Sequence, residues 1–164
     1  MWVNVRGIIE RTANGTTEII IQKRNKPDEE ISFELPGGRL EEFESMVDGL
    51  KREIYEETGL KVTFIQNLDQ QIITSHNNVT VECMTPYIVY QTTKGKVDSM
   101  GIIFLCSADG TLLTEGDNTE DIQWISLENL HHLMNKSDVT FTPVAKASIN
   151  RYLTDKGFSH SIPN

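Results

Sequence analysis

The chain has 164 residues, of which 24 are acidic and 15 basic, so its formal charge is −9 at pH 7. This length predicts one domain over residues 1–164, and a composition of 38% hydrophobic and 24% charged residues excludes a disordered chain. The acidic balance argues against nucleic-acid polymers and anionic membranes as partners. A polyanionic ligand would have to be small and would need a cation beside it.

The first predicted elements form a hairpin and a short strand. Val3–Ile9 and Glu18–Gln22 are rich in β-branched residues and flank the turn signal Asn14-Gly15, which predicts an antiparallel hairpin. A polar loop over 25–30 then leads into the short stretch 31–35. We expect the chain to turn sharply at Pro36-Gly37-Gly38, which follows this stretch directly.

A helix is predicted from Ser45 to Thr58. Apolar residues recur there at spacings of three and four, namely Phe43, Val47, Leu50 and Ile54. Ser45 is suited to cap the helix N-terminus, and Gly59 is suited to end it.

The remaining elements are mostly strands. They are predicted at 62–66, 71–74, 81–92 with an interruption at Pro86, 101–107 and 122–125. A short helix follows over Ser126–Met134, and a last helix begins at the cap Thr142 and stops at Gly157. This order predicts an α/β (α+β) fold with helices packed on a central mixed sheet.

The two cysteines, Cys83 and Cys106, fall in predicted strands and lack the dense spacing of a secreted disulfide scaffold. We expect a reducing cytoplasm, no leader peptide and no apolar run long enough to span a bilayer. Self-association as a homodimer is compatible with a chain of this size.

The predicted helix over 45–58 carries an acidic face. On the helical wheel Glu57 lies about 40° to one side of Glu53 and Glu56 about 60° to the other, beside the apolar stripe. Like charges at this spacing destabilise a helix, so a cation is expected there. The all-oxygen ligand set favours Mg²⁺ or Mn²⁺. The alternative is an ordinary solvated acidic face.

Two other residues of this helix bear on the acidic face. Gly49 lies on it and leaves room for a close neighbour, although glycine inside a helix costs roughly 1 kcal/mol relative to alanine. Arg52 can orient part of the cluster through charge-assisted hydrogen bonds.

A longer pattern spans residues 38–60. It reads Gly38-Arg39-Leu40-Glu41-Glu42-Phe43-Glu44, then seven residues, then Arg52-Glu53-Ile54-Tyr55-Glu56-Glu57-Thr58-Gly59-Leu60. At every fixed position this string resembles the Nudix box of the MutT-like Nudix hydrolases. The preceding Phe33-Glu34-Leu35-Pro36-Gly37-Gly38 is similar to the family's lead-in, with Phe33 where Trp is more usual. Phe43 and Gly49 stand where the family more often has Gly and Ala.

The resemblance implies a Nudix-like α/β/α sandwich and a Mg²⁺-dependent (or Mn²⁺-dependent) pyrophosphohydrolase acting on a nucleoside diphosphate derivative. Glu53 and Glu57 would be the principal metal ligands, with Glu56 binding directly or through water. Arg52 would hold Glu53 in place, and Glu44 would support the metal site.

The resemblance also implies substrate contacts. Gly37 and Gly38 would let the backbone approach the diphosphate. Arg24 resembles a position that is often basic in the family, and arginine is suited to phosphate, although a surface charge is the competing interpretation.

The resemblance further implies a general base that is either a glutamate of the box or one on a later loop. Glu53 and Glu120 are the candidates, and Glu115 and Asp121 compete with Glu120 for the loop role. The alternative for these last three is a solvated acidic turn.

Other functions remain open at this point. A catalytically silent nucleotide-binding or sensor module usually lacks box carboxylates, which are complete here. An isoprenoid diphosphate isomerase would need a catalytic cysteine and metal-binding histidines, and Cys83 and Cys106 do not show such a setting. The stretch Ser75-His76-Asn77-Asn78 matches neither the ADP-ribose marker nor the dinucleoside polyphosphate marker, which favours a nucleoside triphosphate or another compact substrate.

Overall fold

The computed structural model describes residues 1–116 and 118–159. Within them the chain forms eleven strands and three helices, in the order β1 (Trp2–Ala13), β2 (Thr16–Arg24), β3 (Ser32–Glu34), β4 (Gly37–Arg39), α1 (Met46–Thr58), β5 (Lys61–Ile65), β6 (Ile72–His76), β7 (Val79–Cys83), β8 (Ile88–Gln91), β9 (Ser99–Asp109), β10 (Glu115–Gly116), β11 (Thr119–Ser126), α2 (Leu127–Met134) and α3 (Pro143–Asp155). A short 3-10 turn covers Leu68–Gln70.

Nine of these strands form one mixed sheet. Its main path is β10-β11-β2-β1-β9-β5, with β3 paired to β2, β4 paired to β1 and β8 paired to β9. The pair β1–β9 is parallel, and the other neighbours are antiparallel. β6 and β7 form a separate hairpin.

The hairpin of β1 and β2 opens away from its turn. The two strands pair from Ala13↔Thr16 to Glu10↔Ile19 and then separate. Beyond that point β4 takes the free side of β1, and β3 takes the free side of β2. The segment 32–39 is therefore wedged between the separated strands, which places two glycines in the middle of the sheet.

Helices cover both faces of the sheet. On one face α1 buries Val47, Leu50 and Ile54 against sheet residues such as Ile20 and Phe104. On the other face α2 and α3 pack over a second core, whose largest fully buried side chain is Tyr152. Since core side chains are stabilised by removal of apolar area from water, both faces contribute to folding. The predicted α/β (α+β) sandwich is confirmed.

The helix ends follow their local signals. The Ser45 hydroxyl accepts a hydrogen bond from the Asp48 N–H at 3.0 Å, and Gly59 ends α1 in the left-handed region with φ 75°. Ser126 and Thr142 cap α2 and α3 in the same way. These caps satisfy N–H groups that have no partner inside the helix.

Three predictions gain detail from the structure. The interruption predicted at Pro86 is confirmed, and it separates β7, which ends at Cys83 and pairs with β6, from β8, which begins at Ile88 and joins the main sheet. The chain bends at Pro36, as predicted, but Gly37 and Gly38 continue as a short strand rather than a turn, because the wedge supplies a partner in β1. The last helix ends at Asp155, and the predicted stop Gly157 follows the C-cap Lys156 in the left-handed region with φ 91°.

No helix in the described part of the chain is both long enough and apolar enough to cross a membrane.

Candidate active site

The guanidinium of Arg52 connects the carboxylates of the acidic face. Its Nε and Nη2 donate to the two oxygens of Glu44 at 2.7 and 2.8 Å, while its Nη1 donates to Glu53 at 2.9 Å and to Glu56 at 3.3 Å. Nη2 also donates to the Arg39 carbonyl at 3.1 Å. Bidentate pairing fixes direction as well as charge, so this one side chain orients three glutamates.

Glu44 is held in place by Arg52 and packs close to Gly49 near the N-terminus of α1. Arg52 holds the pKa of Glu44 below its ordinary value, chiefly through their hydrogen bonds. A Cβ at Gly49 would collide with Leu40 and would lie 3.0 Å from a Glu44 oxygen. The close neighbour expected at Gly49 is therefore present, and it is the Leu40–Glu44 turn.

Glu53 lies directly against the glycine strand β4. A Cβ added to Gly38 would lie 2.5 Å from Oε2 of Glu53, so the carboxylate occupies space that only glycine leaves free. Burial raises the pKa of Glu53, and Arg52 opposes that rise. Strand β4 therefore places its backbone beside the carboxylate.

Glu57 is the most deeply buried carboxylate of the cluster, with 8% of its surface exposed. Its Oε2 accepts from the Gly37 N–H at 2.8 Å and from the Gln22 side-chain amide at 2.7 Å. Burial raises its pKa to about 7, although both hydrogen bonds favour the ionised form. A cation nearby would restore the charged state.

Glu53 and Glu57 both line one cavity of about 370 Å³, together with Gly37 and Gly38. Among the described residues, its other charged lining side chains are Arg6, Arg24, Lys26, Arg39 and Glu34. These four basic side chains outnumber the three lining carboxylates in a protein of charge −9, so the cavity is locally suited to an anion that arrives with a cation.

Three residues of this region were not predicted as site residues. Glu34, only 3% exposed, lies between two cavity arginines, with oxygens 3.5 Å from Arg6 Nη1 and 3.6 Å from Arg24 Nη1. The Arg6 Nη1 also donates to the Leu35 carbonyl at 2.6 Å. Gln22 is fully buried and holds Glu57. Each of the three is a charged or amide residue within an apolar strand, and this pattern could have identified it as a site residue.

The predicted residues Arg24 and Glu120, which come from β2 and β11, differ in position. Arg24 lines the cavity and donates to Glu29 at 2.6 Å. Glu120 pairs across the sheet with Lys23, and its carboxylate accepts from the Asn25 amide at 3.1 Å. Among the described residues of β11, Thr119 lines the cavity, whereas Glu120 does not.

The competing acidic residues are also placed apart from the box glutamates. Asp121 pairs with Lys23 at 2.8 Å, and Glu115 lies opposite Glu120 in the short ladder of β10 and β11. Neither lines the cavity in the described part of the chain.

The carboxylates of the cavity are oxygen donors of the kind that bind a divalent cation. Among the described residues no group of three His, Cys, Asp or Glu side chains is gathered into a complete metal cluster. Mg²⁺, however, is usually bound by one or two carboxylates together with water and substrate phosphates. The pair Glu53 and Glu57 on one cavity wall fits that mode, and its oxygen chemistry excludes a zinc-type sulfur or imidazole set.

The sequence matches one protein family, and the fold is similar to those of solved structures. The NUDIX domain family matches residues 2–144. MutT from work on Aliivibrio salmonicida and Vibrio cholerae superposes with a TM-score of 0.61 at 19% identity, covering 94% of this chain and 98% of that one. The MutT NUDIX hydrolase of Burkholderia pseudomallei gives 0.60 at 18% identity, covering 90% and 95%. The NUDIX domain of Shewanella oneidensis NrtR, complexed with ADP ribose, gives 0.66 at 13% identity, covering 95% and 88%.

Proposed function

The chain belongs to the NUDIX domain family of pyrophosphate-bond hydrolases, and we propose that it is a Mg²⁺- or Mn²⁺-dependent pyrophosphohydrolase. Its substrate is a compact nucleoside diphosphate derivative, such as a nucleoside triphosphate. The observation that carries the proposal is the shared cavity of Glu53, Glu57 and the backbone of Gly37-Gly38, lined by four basic side chains.

The chain's own residues supply the positioning. Arg52 fixes the direction of the Glu53 carboxylate, and the Gly37 N–H fixes that of Glu57. Arg24 and Lys26 line the same cavity and are suited to neutralise phosphate oxygens. A divalent cation held by Glu53 and Glu57, with Glu56 at the exposed side, would offset charge on the diphosphate and lower the pKa of a bound water.

We assign the general base to Glu53 rather than to Glu120. Glu53 lines the cavity beside the glycine strand, where a carboxylate oxygen can accept a proton from a water held near the diphosphate. Glu120 is engaged with Asn25 outside the cavity lining. Arg52 and Glu44 act here as positioning residues.

The size of the cavity supports a compact substrate. Ligand sites usually measure about 300–1,000 Å³, and this cavity of about 370 Å³ is at the lower end. One nucleotide suits that volume better than a dinucleoside polyphosphate. Free nucleotides would meet the protein in the cytoplasm, where the two free cysteines would stay reduced.

The test is a hydrolysis panel with Mg²⁺ over nucleoside triphosphates, oxidised nucleoside triphosphates, ADP-ribose, NADH, dinucleoside polyphosphates and nucleotide sugars. Glu53→Gln should lower kcat by at least about a hundredfold, because base and metal ligand are lost together. Glu42→Gln is the matched control, since Glu42 is an exposed glutamate of the same segment. Equal turnover in Glu53→Gln would refute the site.

A nucleotide-binding module without turnover is the competing outcome. The NrtR NUDIX domain was crystallised with ADP ribose, and its fold is similar to this one. Saturable nucleotide binding with Mg²⁺, but no product from any member of the panel, would favour that function over hydrolysis.

A further inference from the structure

One flank of the cavity is aromatic rather than charged. Strand register places Trp2 opposite Ser99, and Asn4 opposite Gly101, on the same face of the sheet. Tyr90 on β8 is the other partner of Gly101. Because directly opposed residues point to the same face, Asn4, Gly101 and Tyr90 form one row beside Trp2. Trp2, Asn4, Ser99 and Tyr90 all line the cavity.

Gly101 gives this flank its shape. A Cβ at Gly101 would collide with the Tyr90 ring, so that ring crosses the backbone of β9 where no side chain intervenes. The Tyr90 ring therefore lies close against the backbone of the sheet and presents an aromatic surface there. Glycine in a strand interior often marks such a close approach.

Trp2 is unusually open for its residue type, with 48% of its surface exposed at the cavity. The guanidinium of Arg39 lies 4.7 Å from the centre of the indole ring. The backbone carbonyl of the same Arg39 accepts from Arg52, so one residue connects this aromatic flank to the glutamate network. An exposed indole beside a planar cation is suited to a flat π-system.

We propose that Trp2, Tyr90 and Arg39 form the surface on which the base of the substrate nucleotide stacks. The inference rests on the proposed nucleotide hydrolysis and specifies how that cavity selects a substrate with an aromatic base. Asn4 adds a polar group, because its side-chain amide makes only a long 3.5 Å bond to the Met100 carbonyl. These are specificity-determining residues, distinct from the glutamates that act on the diphosphate.

The spacing along β1 agrees with one nucleotide. Gly38 of the glycine strand is paired with Val5, three residues from Trp2. At about 3.3 Å per residue, the level of the glycines and that of Trp2 are about 10 Å apart. A sugar linking a diphosphate to a base spans a separation of that order, so both ends can be engaged at once.

The direct test uses tryptophan fluorescence. The chain has two tryptophans, so Trp124→Phe leaves Trp2 as the single reporter. Trp124 lies on β11 under the Arg11 guanidinium at 4.0 Å and does not line the cavity among the described residues. Nucleoside monophosphates with Mg²⁺ are the probes, because they lack an anhydride bond and are not consumed. Ribose 5-phosphate is the matched probe without a base.

We expect nucleoside monophosphates to quench Trp2 emission saturably, and ribose 5-phosphate to leave it unchanged. The reciprocal variant, Trp2→Phe, leaves only Trp124 and should show no quenching. In the hydrolysis assay, Trp2→Leu and Tyr90→Leu should raise KM about tenfold each while kcat stays within about threefold, as expected for lost stacking. Trp2→Phe keeps an aromatic ring and should retain most of the affinity.

The outcomes separate this inference from the proposed function. Efficient hydrolysis with a silent Trp2 and an unchanged KM in Trp2→Leu would overturn the stacking surface and leave the hydrolase intact. Base-dependent quenching without hydrolysis would support the surface and refute the hydrolase. Equal responses to nucleoside monophosphates and ribose 5-phosphate would overturn base recognition.

Discussion

The Glu53 carboxylate and the Cα of Gly38 are in such close contact that a methyl group at position 38 would lie 2.5 Å from Oε2 of Glu53. Gly38→Ala should therefore displace the carboxylate while leaving the fold intact. A misplacement of about 1 Å near reacting atoms lowers rates by about a hundredfold, and we expect a loss of that order in kcat. Steady-state kinetics and circular dichroism together measure it.

Gly15→Ala is the control for this substitution. Gly15 has φ 75° in the first hairpin turn and no atom within 4 Å of an added Cβ. Alanine there is strained by its backbone conformation alone, so Tm should fall while kcat is unchanged. An active Gly38→Ala enzyme would contradict the tight placement of Glu53.

Arg52→Lys tests the orientation of the glutamates. Lysine keeps the charge but lacks the planar fork that reaches Glu44, Glu53 and Glu56 together. We expect kcat to fall by about a hundredfold. Arg151→Lys changes an exposed i,i+4 pair with Asp155 and should have no effect. Wild-type kcat in Arg52→Lys would exclude a positioning role for the fork.

Because Glu57 is buried, we expect the free energy of unfolding of the metal-free protein, measured in EDTA, to depend on pH. The pKa of Glu57 is about 7 in the folded protein and 4.5 as the ordinary value, so the folded state binds more protons between these pH values. Stability therefore falls as pH rises from about 4.5 to 7. Glu57→Gln keeps an acceptor for the Gly37 N–H and should remove this slope, making the variant more stable at pH 8 by about 3 kcal/mol.

Urea unfolding at pH 5 and pH 8 gives the free energies for both proteins. Added Mg²⁺ should stabilise the wild type at pH 8 more than Glu57→Gln, since a cation favours the ionised carboxylate. If the free energies of unfolding of the two proteins in EDTA changed equally with pH, ionisation of the buried Glu57 would not destabilise the folded state.

Glu120→Gln separates the two candidates for the general base. Because Glu120 bonds to Asn25 away from the cavity lining, its neutralisation should change kcat by less than about threefold, the scale of a surface effect. The large loss should appear only in Glu53→Gln. Comparable losses in the two variants would return Glu120 to the mechanism.

The two cysteines should differ in reactivity. Cys83 is exposed on β7, whereas Cys106 is 1% exposed, and burial raises the pKa of its thiol to about 12. The thiolate is the reactive form. Alkylation of the folded protein at pH 8 should therefore add one adduct by mass spectrometry, and alkylation after unfolding should add two. Rapid double labelling of the folded protein would show that the Cys106 core opens.

The sequence predicts best those elements whose boundaries and faces depend on residues close together in the chain. The cap Ser45, the stop Gly59 and the apolar spacing of Leu50 and Ile54 lie within one helix and its ends, and α1 follows them. The orientation of Arg52 toward the glutamates was predicted for the same reason, because the box itself spans only residues 38–60.

Non-local pairing explains what the sequence missed. Strand β4 exists because β1 and β2 separate and expose partners, which no feature of Gly37-Gly38 alone indicates. Glu34 belongs to the cavity because Arg6 and Arg24 approach it from two different strands. Alternation along β11, together with its register to β2, decides that Thr119 rather than Glu120 faces the cavity.

The parallel pairing of β1 with β9 has a consequence for how the protein is made. Asn4 and Met100 are joined although 96 residues separate them in the chain. A ribosome-bound nascent chain that already contains the whole box still lacks the strand against which β1 aligns. Such distant contacts slow folding, since the intervening loop must close before they form. Catalytic competence during translation should therefore appear abruptly, once β9 has emerged, rather than grow with the length of the chain.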